Sequence, residues 1–297
     1  MASTLHTALL VNPKAGAGRA KQAVSQVLKR LLSHNLEPTI LEATSSQEAL
    51  ASIRVAVESG TDRLIVIGGD GILHIAAQAL AGTPCILGVI AAGTGNDFGR
   101  AMGLTKGSLE DRVDRTLEKP TPIDLIKVGN QFALTSVISG FPSQVNDRAE
   151  RMRFPTGPSR YTCAALLELP KMQTIETRIA MDSVDYEILS TMIVVANTRF
   201  FGGGMDICPN ADPTDGQIDV CTVGDVGRLD LLRSLHRVRN GKHLEHPEVT
   251  IRKTKEVVIK GKMTFRADGE SLDLSDAESQ ISICVAPQKI LLAGSPY

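Results

Sequence analysis

The chain has 297 residues, 42% of them hydrophobic and 22% charged, which suits one large or two medium folded domains and excludes a disordered or collagen-like chain. A formal net charge of -1 gives no global attraction to nucleic acid, and 3% aromatic content without Trp argues against base-stacking platforms and a membrane-interface aromatic belt. Five cysteines (Cys85, Cys163, Cys208, Cys221 and Cys284) form no C-x-x-C pair, so free thiols in a reducing cytosol are expected rather than a zinc or redox motif.

Residues 1–11 carry no basic n-region and too short an apolar run for a signal peptide, so a place inside the cell is expected. Short aliphatic runs predict strands at 8–11, 39–42, 64–67 and 86–90. Between them, 19–33, 46–59 and 72–80 repeat apolar residues at helical spacing, as in Val24, Val27, Leu28, Leu31 and Leu32. The order βαβαβαβ predicts a parallel sheet covered by helices. The apolar window 75–90 is broken by Gln78, Gly82, Thr83, Pro84 and Gly88, and reads as helix, turn and buried strand rather than a membrane span.

From about Pro122 the pattern changes to strand pairs. Runs 125–128 and 131–136 flank Gly129-Asn130, a dipeptide suited to a tight hairpin. Further strands are expected at 175–182, 187–196, 217–223, 249–251, 256–259 and 281–285, with helices at 159–171 and 229–240. The fold class is therefore α/β + β: an α/β nucleotide-binding domain over 1–122, completed by a strand from 288–297, and a β-rich sandwich domain over 123–287.

The most specific feature is Gly68-Gly69-Asp70-Gly71, directly after the run 64–67 and before a helical pattern. Glycines at such a turn let the backbone approach a polyphosphate, and the helix N-terminus adds partial positive charge. Asp70 is suited to hold magnesium, directly or through water. Alone, this tetrapeptide also fits a tight turn with an acidic cap. Two companions weigh against that: Asn12-Pro13-Lys14-Ala15-Gly16-Ala17-Gly18 after the first strand, and Gly93-Thr94-Gly95-Asn96-Asp97-Phe98 after the fourth. Both lie at carboxyl ends of predicted parallel strands, where open α/β sheets bind ligands. The first is neither a Walker loop nor a G-x-G-x-x-G turn.

These motifs are followed in order by Phe201-Gly202-Gly203-Gly204-Met205, Asp215-Gly216 and Asp268-Gly269-Glu270. Taken together they resemble the diacylglycerol kinase catalytic-domain family, in particular the soluble bacterial lipid kinases, over nearly the whole chain. The resemblance implies an ATP site containing Asn12, Pro13, Lys14, Ala15, Gly16, Thr44, Gly68, Gly69, Asp70, Gly71, Ile72, Leu73, His74, Gly93 and Thr94. Asn96 and Asp97 would join Asp70 around the phosphates and Mg2+. It also implies a structural magnesium site at Asp215 with the backbone carbonyls of Asp212 and Ile218, although Asp215-Gly216 alone is equally a hairpin turn. In such enzymes Asp268-Gly269-Glu270 carries the chemistry: a carboxylate accepts the proton of the lipid hydroxyl as the phosphorus bond forms, and either Asp268 or Glu270 can be that base. As in similar kinases, the last strand, 289–293, is expected to return to the first domain, with ATP, Mg2+ and the acceptor in the cleft between domains.

The expected activity is thus ATP- and Mg2+-dependent transfer to a lipid hydroxyl, diacylglycerol giving phosphatidic acid, with ceramide, sphingoid base and polyprenol as other acceptors an apolar cleft would take. An NAD kinase shares the G-G-D-G turn, but the N-P-x-x-G turn and the 201–205 glycine run favour the lipid side. A nucleotide-binding regulator that transfers nothing is the other alternative. It is motivated by Ile72 and His74, where similar kinases read G-G-D-G-T-x-N, and by Ala92, where many have Pro. Arg148, Arg151, Arg153, Arg160 and Lys171, around the apolar stretch 163–169, fit a basic face toward an anionic membrane as well as they fit a solvated helix face. Arg233, Arg237 and Arg239 beside His236 read as solvation. His243 and His246 lack a partner cluster for metal and are expected at the surface. The expected partners are a lipid at a membrane surface, met by transient peripheral contact in the cytoplasm, and a second copy of the chain, since dimers occur among similar proteins; nucleic acid is not expected.

Overall fold

The aliphatic runs of the first third form one sheet whose central strands are buried on both faces, which is why they read as continuous rather than alternating. The computed structural model describes residues 5–12, 19–155, 158–182, 184–239, 241–272 and 280–296. The chain divides into two units, Met1–Asp124 with Pro287–Tyr297, and Leu125–Ala286.

In the first unit the order is β1 (Thr7–Val11), α1 (Arg19–Ser33), β2 (Thr39–Leu41), α2 (Ser46–Glu58), β3 (Arg63–Gly68), α3 (Asp70–Leu80), β4 (Ile86–Ala91), α4 (Asp97–Ala101), α5 (Leu109–Arg115) and β5 (Pro120–Ile123). The sheet runs β2-β1-β3-β4, then the final strand of the chain, Ile290–Ala293, then β5. All strands are parallel except β5, which runs antiparallel to the final strand. Leu9, Ile65, Ile67 and Ile90 meet Val27 and Leu31 of α1 and Val113 of α5 in one core cluster. Leu32 shares the helical spacing but is 54% exposed, so the apolar stripe of α1 is narrower than the sequence suggests. Lys289 reaches back to the buried Asp124 at 2.5 Å and ties the returning strand down. The window 75–90 is α3, a turn and β4, and among the described residues no helix is long and apolar enough to cross a membrane.

The second unit contains β6 (Ile126–Val128), β7 (Gln131–Ala133), β8 (Ser136–Gly140), α6 (Phe141–Arg151), α7 (Pro158–Glu168), β9 (Ile175–Met181), β10 (Val184–Ser190), β11 (Met192–Ala196), β12 (Phe200–Phe201) and β13 (Met205–Asp206). It continues with β14 (Ile218–Val223), α8 (Arg228–Val238), β15 (Val249–Thr254), β16 (Glu256–Lys260), β17 (Phe265–Ala267), β18 (Glu270–Ser271) and β19 (Gln280–Val285). Two six-stranded antiparallel sheets, β10-β9-β16-β19-β6-β7 and β15-β14-β11-β8-β17-β18, share a core that includes Ile179, Ile259 and Ile283 from one and Val195, Val220 and Ala267 from the other. This is a sandwich. The second sheet is also covered on its outer face, where Val194 and Cys221 pack with Phe141 of α6, Ala165 of α7 and Leu231 of α8.

Two expected strands are split. The run 187–196 becomes β10 and β11, which lie in different sheets, because Thr191 leaves the ladder: its N–H donates to the Val223 carbonyl at 2.9 Å and its hydroxyl to the Gly224 carbonyl at 2.7 Å. The run 131–136 likewise divides into β7 and β8, and the amides of Leu134 and Thr135 between them turn to a side chain from far down the chain, described below.

Candidate active site

Parallel strands bring their carboxyl ends into line, and the turns that follow lie side by side. Asn12 N–H donates to the Ile67 carbonyl at 3.0 Å, and Ala92 N–H donates to the Gly68 carbonyl at 2.8 Å. At this edge the turns after β3 and β4 touch backbone to backbone. A Cβ on Gly69 would stand 2.9 Å from Gly93 Cα, and one on Gly93 would stand 2.5 Å from Gly69 Cα and 2.8 Å from Asn96 Oδ1. Only glycine satisfies both sides of that contact. Asn96, in the left-handed region at φ 53, donates from Nδ2 to the Gly93 carbonyl at 2.9 Å, while its buried Oδ1 has no hydrogen-bond partner among the described residues. Asp70 accepts from Phe98 N–H at 3.2 Å, which joins the start of α3 to the start of α4 and sets Asp97 beside it. Gly69 caps α3 without a side-chain hydrogen bond, and Asp70 is the acidic residue of the first turn at that partly positive helix end.

The other expected nucleotide residues have different surroundings. The side chains of Ile72, Leu73 and His74 are buried in the body of the unit, with Ile72 packed on Gly68 and the Gln78 amide donating to the His74 carbonyl at 3.1 Å. Gly71 and Thr94 are exposed. Thr44 follows β2 and donates from both N–H and hydroxyl to Glu48 Oε2, at 2.8 and 2.6 Å, and these bonds hold the Glu48 carboxyl below its usual value. Pro13, Lys14, Ala15 and Gly16 lie outside the described residues.

In the second unit Asp268 and Glu270 are treated differently by the fold. Asp268 sits in the left-handed region at φ 51, and its N–H donates to the Ser136 carbonyl at 2.9 Å. Its Oδ2 accepts from Leu134 N–H at 2.8 Å; its Oδ1 accepts from Thr135 N–H at 2.8 Å, the Thr135 hydroxyl at 2.6 Å and Ser136 N–H at 3.3 Å. The carboxylate is the acceptor for the gap where the chain passes from β7 to β8. The next carbonyl, Gly269, accepts from Asn146 Nδ2 at 2.7 Å and from Arg266 Nη1. Arg266, 5% exposed, is itself held by Asp147 at 2.8 Å and Glu150 at 2.6 Å on α6. Glu270, which follows this anchored turn, is exposed. Sequence reasoning missed Asn146 and Arg266; the only signal was the i, i+3 spacing of Asp147 and Glu150, which puts two carboxylates on one helix face.

At the turn before β14, where the resemblance implies magnesium on Asp215 and the backbone carbonyls of Asp212 and Ile218, a lysine ammonium stands against the one carboxylate of that set. Asp215 Oδ2 accepts from Lys253 Nζ at 2.5 Å and Oδ1 from Gln217 N–H at 2.9 Å. Asp212 Oδ1 accepts from Thr214 N–H and hydroxyl, at 2.9 and 2.6 Å. Ile218 is a ladder residue of β14, opposite Thr254. The 201–205 glycine run links the hairpin β12–β13, braced by Arg199, which binds Asp206 through two nitrogens and stacks 4.9 Å from the Phe200 ring centre. His243 corrects its expectation. It is 2% exposed and bonded through Nε2 to the Ile207 carbonyl at 2.9 Å, and burial lowers its pKa.

Residues 6–128 match the family model described as the diacylglycerol kinase catalytic domain, and residues 135–293 match that of the YegS C-terminal NAD kinase beta sandwich-like domain. A diacylglycerol kinase of Mycobacterium tuberculosis (strain CDC 1551 / Oshkosh) is 36% identical over 258 residues, 84% of this chain and 83% of that protein. One from Staphylococcus haemolyticus (strain JCSC1435) is 26% identical over 270 residues, 88% of this chain and 81% of that protein. The fold aligns with the crystal structure of a diacylglycerol kinase from Bacillus anthracis str. Sterne at a TM-score of 0.74, with 20% identity, over 100% of this chain and 99% of that one. The anchored Asp268-Gly269-Glu270 turn, the paired glycine turns and these similarities lead to one statement: the chain belongs to the diacylglycerol kinase catalytic-domain family, phosphotransferases that act on an alcohol acceptor.

Proposed function

We propose that the protein transfers the γ-phosphoryl group of ATP, with Mg2+, to the hydroxyl of diacylglycerol, and that Glu270 is the base. The observation that carries this reading is the division of labour in the Asp268-Gly269-Glu270 turn. A carboxylate offers about four lone-pair positions. Asp268 already accepts four hydrogen bonds through them, and so serves as the anchor rather than the proton acceptor. Glu270 projects into solvent from a turn held at Asp268 and at the Gly269 carbonyl, as a residue that must reach a substrate hydroxyl needs to.

The first unit supplies residues that suit a nucleotide. The turns at Gly69 and Gly93 meet backbone to backbone with no room for a Cβ, the amides at the start of α3 favour phosphate, and Asn96 Oδ1 is a buried acceptor without a hydrogen-bond partner among the described residues. Asp70 and Asp97 would hold the magnesium. Magnesium held by one or two carboxylates takes its remaining ligands from phosphate and water. When bound, ATP and Mg2+ supply the phosphoryl group and neutralise charge on its oxygens. Burial of Ile72 and His74 in the body of the unit means that their departure from the family pattern changes packing more than it changes contacts to phosphate, which weighs against a regulator that transfers nothing.

Diacylglycerol is favoured as acceptor by the relatives named for it, and a membrane-surface encounter by exposed apolar side chains next to basic ones. Phe154, 82% exposed, directly follows the exposed Arg153 and lies three residues after the exposed Arg151, and Leu167 on α7 is 53% exposed. The test is to incubate the purified protein with labelled ATP, Mg2+ and a panel of diacylglycerol, sphingosine, polyprenol and NAD. Labelled phosphatidic acid is the expected product. Labelled NADP, or no product despite measured ATP binding, would overturn the proposal.

A further inference from the structure

In this fold the resemblance places a magnesium ion at the turn before β14, and the residues present do not fit one. Each Asp215 oxygen already accepts one hydrogen bond from within the chain, Oδ1 from Gln217 N–H at 2.9 Å and Oδ2 from Lys253 Nζ at 2.5 Å. Asp212 spends Oδ1 on Thr214, and its carbonyl accepts from Asp215 N–H at 3.3 Å. The same ammonium stands 3.4 Å from Asp219 Oδ2, on a carboxylate only 4% exposed. Strand register enforces the arrangement: β14 pairs with β15 so that Asp219 faces Lys253 directly across the ladder. Two carboxylates four residues apart thus converge on one cation already in the chain. A second cation on the same oxygens would meet the ammonium at close range, where like charges repel strongly.

We infer that Lys253 takes the place of the structural metal: its ammonium is the internal counter-ion of Asp215 and Asp219, and this turn is built without magnesium. An ammonium suits the task. It carries three donors, enough to serve both carboxylates, and it imposes none of the octahedral geometry that magnesium demands. The inference is independent of the phosphoryl-transfer reading, because neither nucleotide nor lipid enters its test.

The test titrates the full-length protein with MgCl2 alone in a calorimeter and records its melting temperature in EDTA and in MgCl2, for the native chain, Asp215→Asn, Lys253→Met and the double variant. In the native chain, Asp215→Asn should leave the magnesium binding isotherm unchanged. Lys253→Met should melt about 2–6 °C lower in EDTA, recover part of that loss in MgCl2 and gain one binding site that the double variant lacks. Loss of a magnesium site from the native chain on Asp215→Asn would overturn the inference, and so would a Lys253→Met protein that neither melts lower nor gains an Asp215-dependent site. Should Lys253→Met fail to fold, the Asp215→Asn titration of the otherwise native chain decides alone.

Discussion

Replacing Asp268 by alanine withdraws the acceptor of four hydrogen bonds at one stroke. Leu134, Thr135 and Ser136, whose amides it receives, are 1%, 5% and 3% exposed, so water has little access to the donors left behind. An orphaned buried donor costs about 1–3 kcal/mol, and an alanine held at positive φ adds about 1–2 kcal/mol. With some relaxation of the β7–β8 passage, a loss of about 3–5 kcal/mol is expected, or roughly 6–20 °C in the melting temperature of a domain of this size. Asp268→Asn should fall between, since one of its two terminal atoms becomes a donor facing Leu134 N–H. Glu270→Gln is the control. It is exposed, so stability should stay within about 0.5 kcal/mol of the native value, while loss of a general base lowers turnover by about 10²–10⁴-fold. Calorimetry and a transfer assay on the same preparations separate the two effects. An Asp268→Ala protein that melts like the native one, with a Glu270→Gln protein at full rate, would refute the division of roles.

Gly93→Ala drives a Cβ to 2.5 Å from Gly69 Cα, where only backbone can yield. It should cost about 1–3 kcal/mol and abolish the upward shift in melting temperature that ATP gives the native chain. Arg266→Met removes a guanidinium that bonds the Gly269 carbonyl, and a displaced Glu270 should lower kcat about 10²-fold with KM for ATP unchanged; steady-state kinetics checks the split. Burial pushes the Cys85 thiol up to about 11, against an ordinary value near 9. Between those pH values the unfolded chain holds fewer protons than the folded one, so stability present below pH ~9 falls as the pH rises toward ~11, by on the order of 2 kcal/mol. Urea melts at pH 8 and 10.5 should show a steeper alkaline loss in the native chain than in Cys85→Ala.

Local signals carried the architecture. The stripe through Val27 and Leu31 and the buried run Leu64–Ile67 follow from helix and strand periodicity, and the glycine turns fall where parallel strands must end. What escaped depends on contacts between distant residues. Asp268 meets Thr135 across 133 positions, and nothing in either neighbourhood announces that the amides of a strand break need an acceptor. Lys253 reaches Asp215 across 38 positions through a register that is visible only once β14 and β15 are paired. The run 187–196 looked like one strand because every residue in it tolerates extended backbone; only the Val223 and Gly224 carbonyls that receive Thr191 explain the change of sheet. His243 read as a surface residue because no cluster of metal ligands accompanies it, yet it is buried with its Nε2 bonded to the Ile207 carbonyl, 36 positions away.

The central claim is tested most directly by following phosphorus-labelled ATP into diacylglycerol with native protein and with Glu270→Gln side by side, in Mg2+ and on mixed anionic vesicles. Rapid labelling of phosphatidic acid by the native chain and its near loss in a Glu270→Gln protein that still binds ATP is the predicted result. Equal labelling by both proteins would contradict the assignment of the base, and labelling by neither would contradict the lipid-kinase account itself.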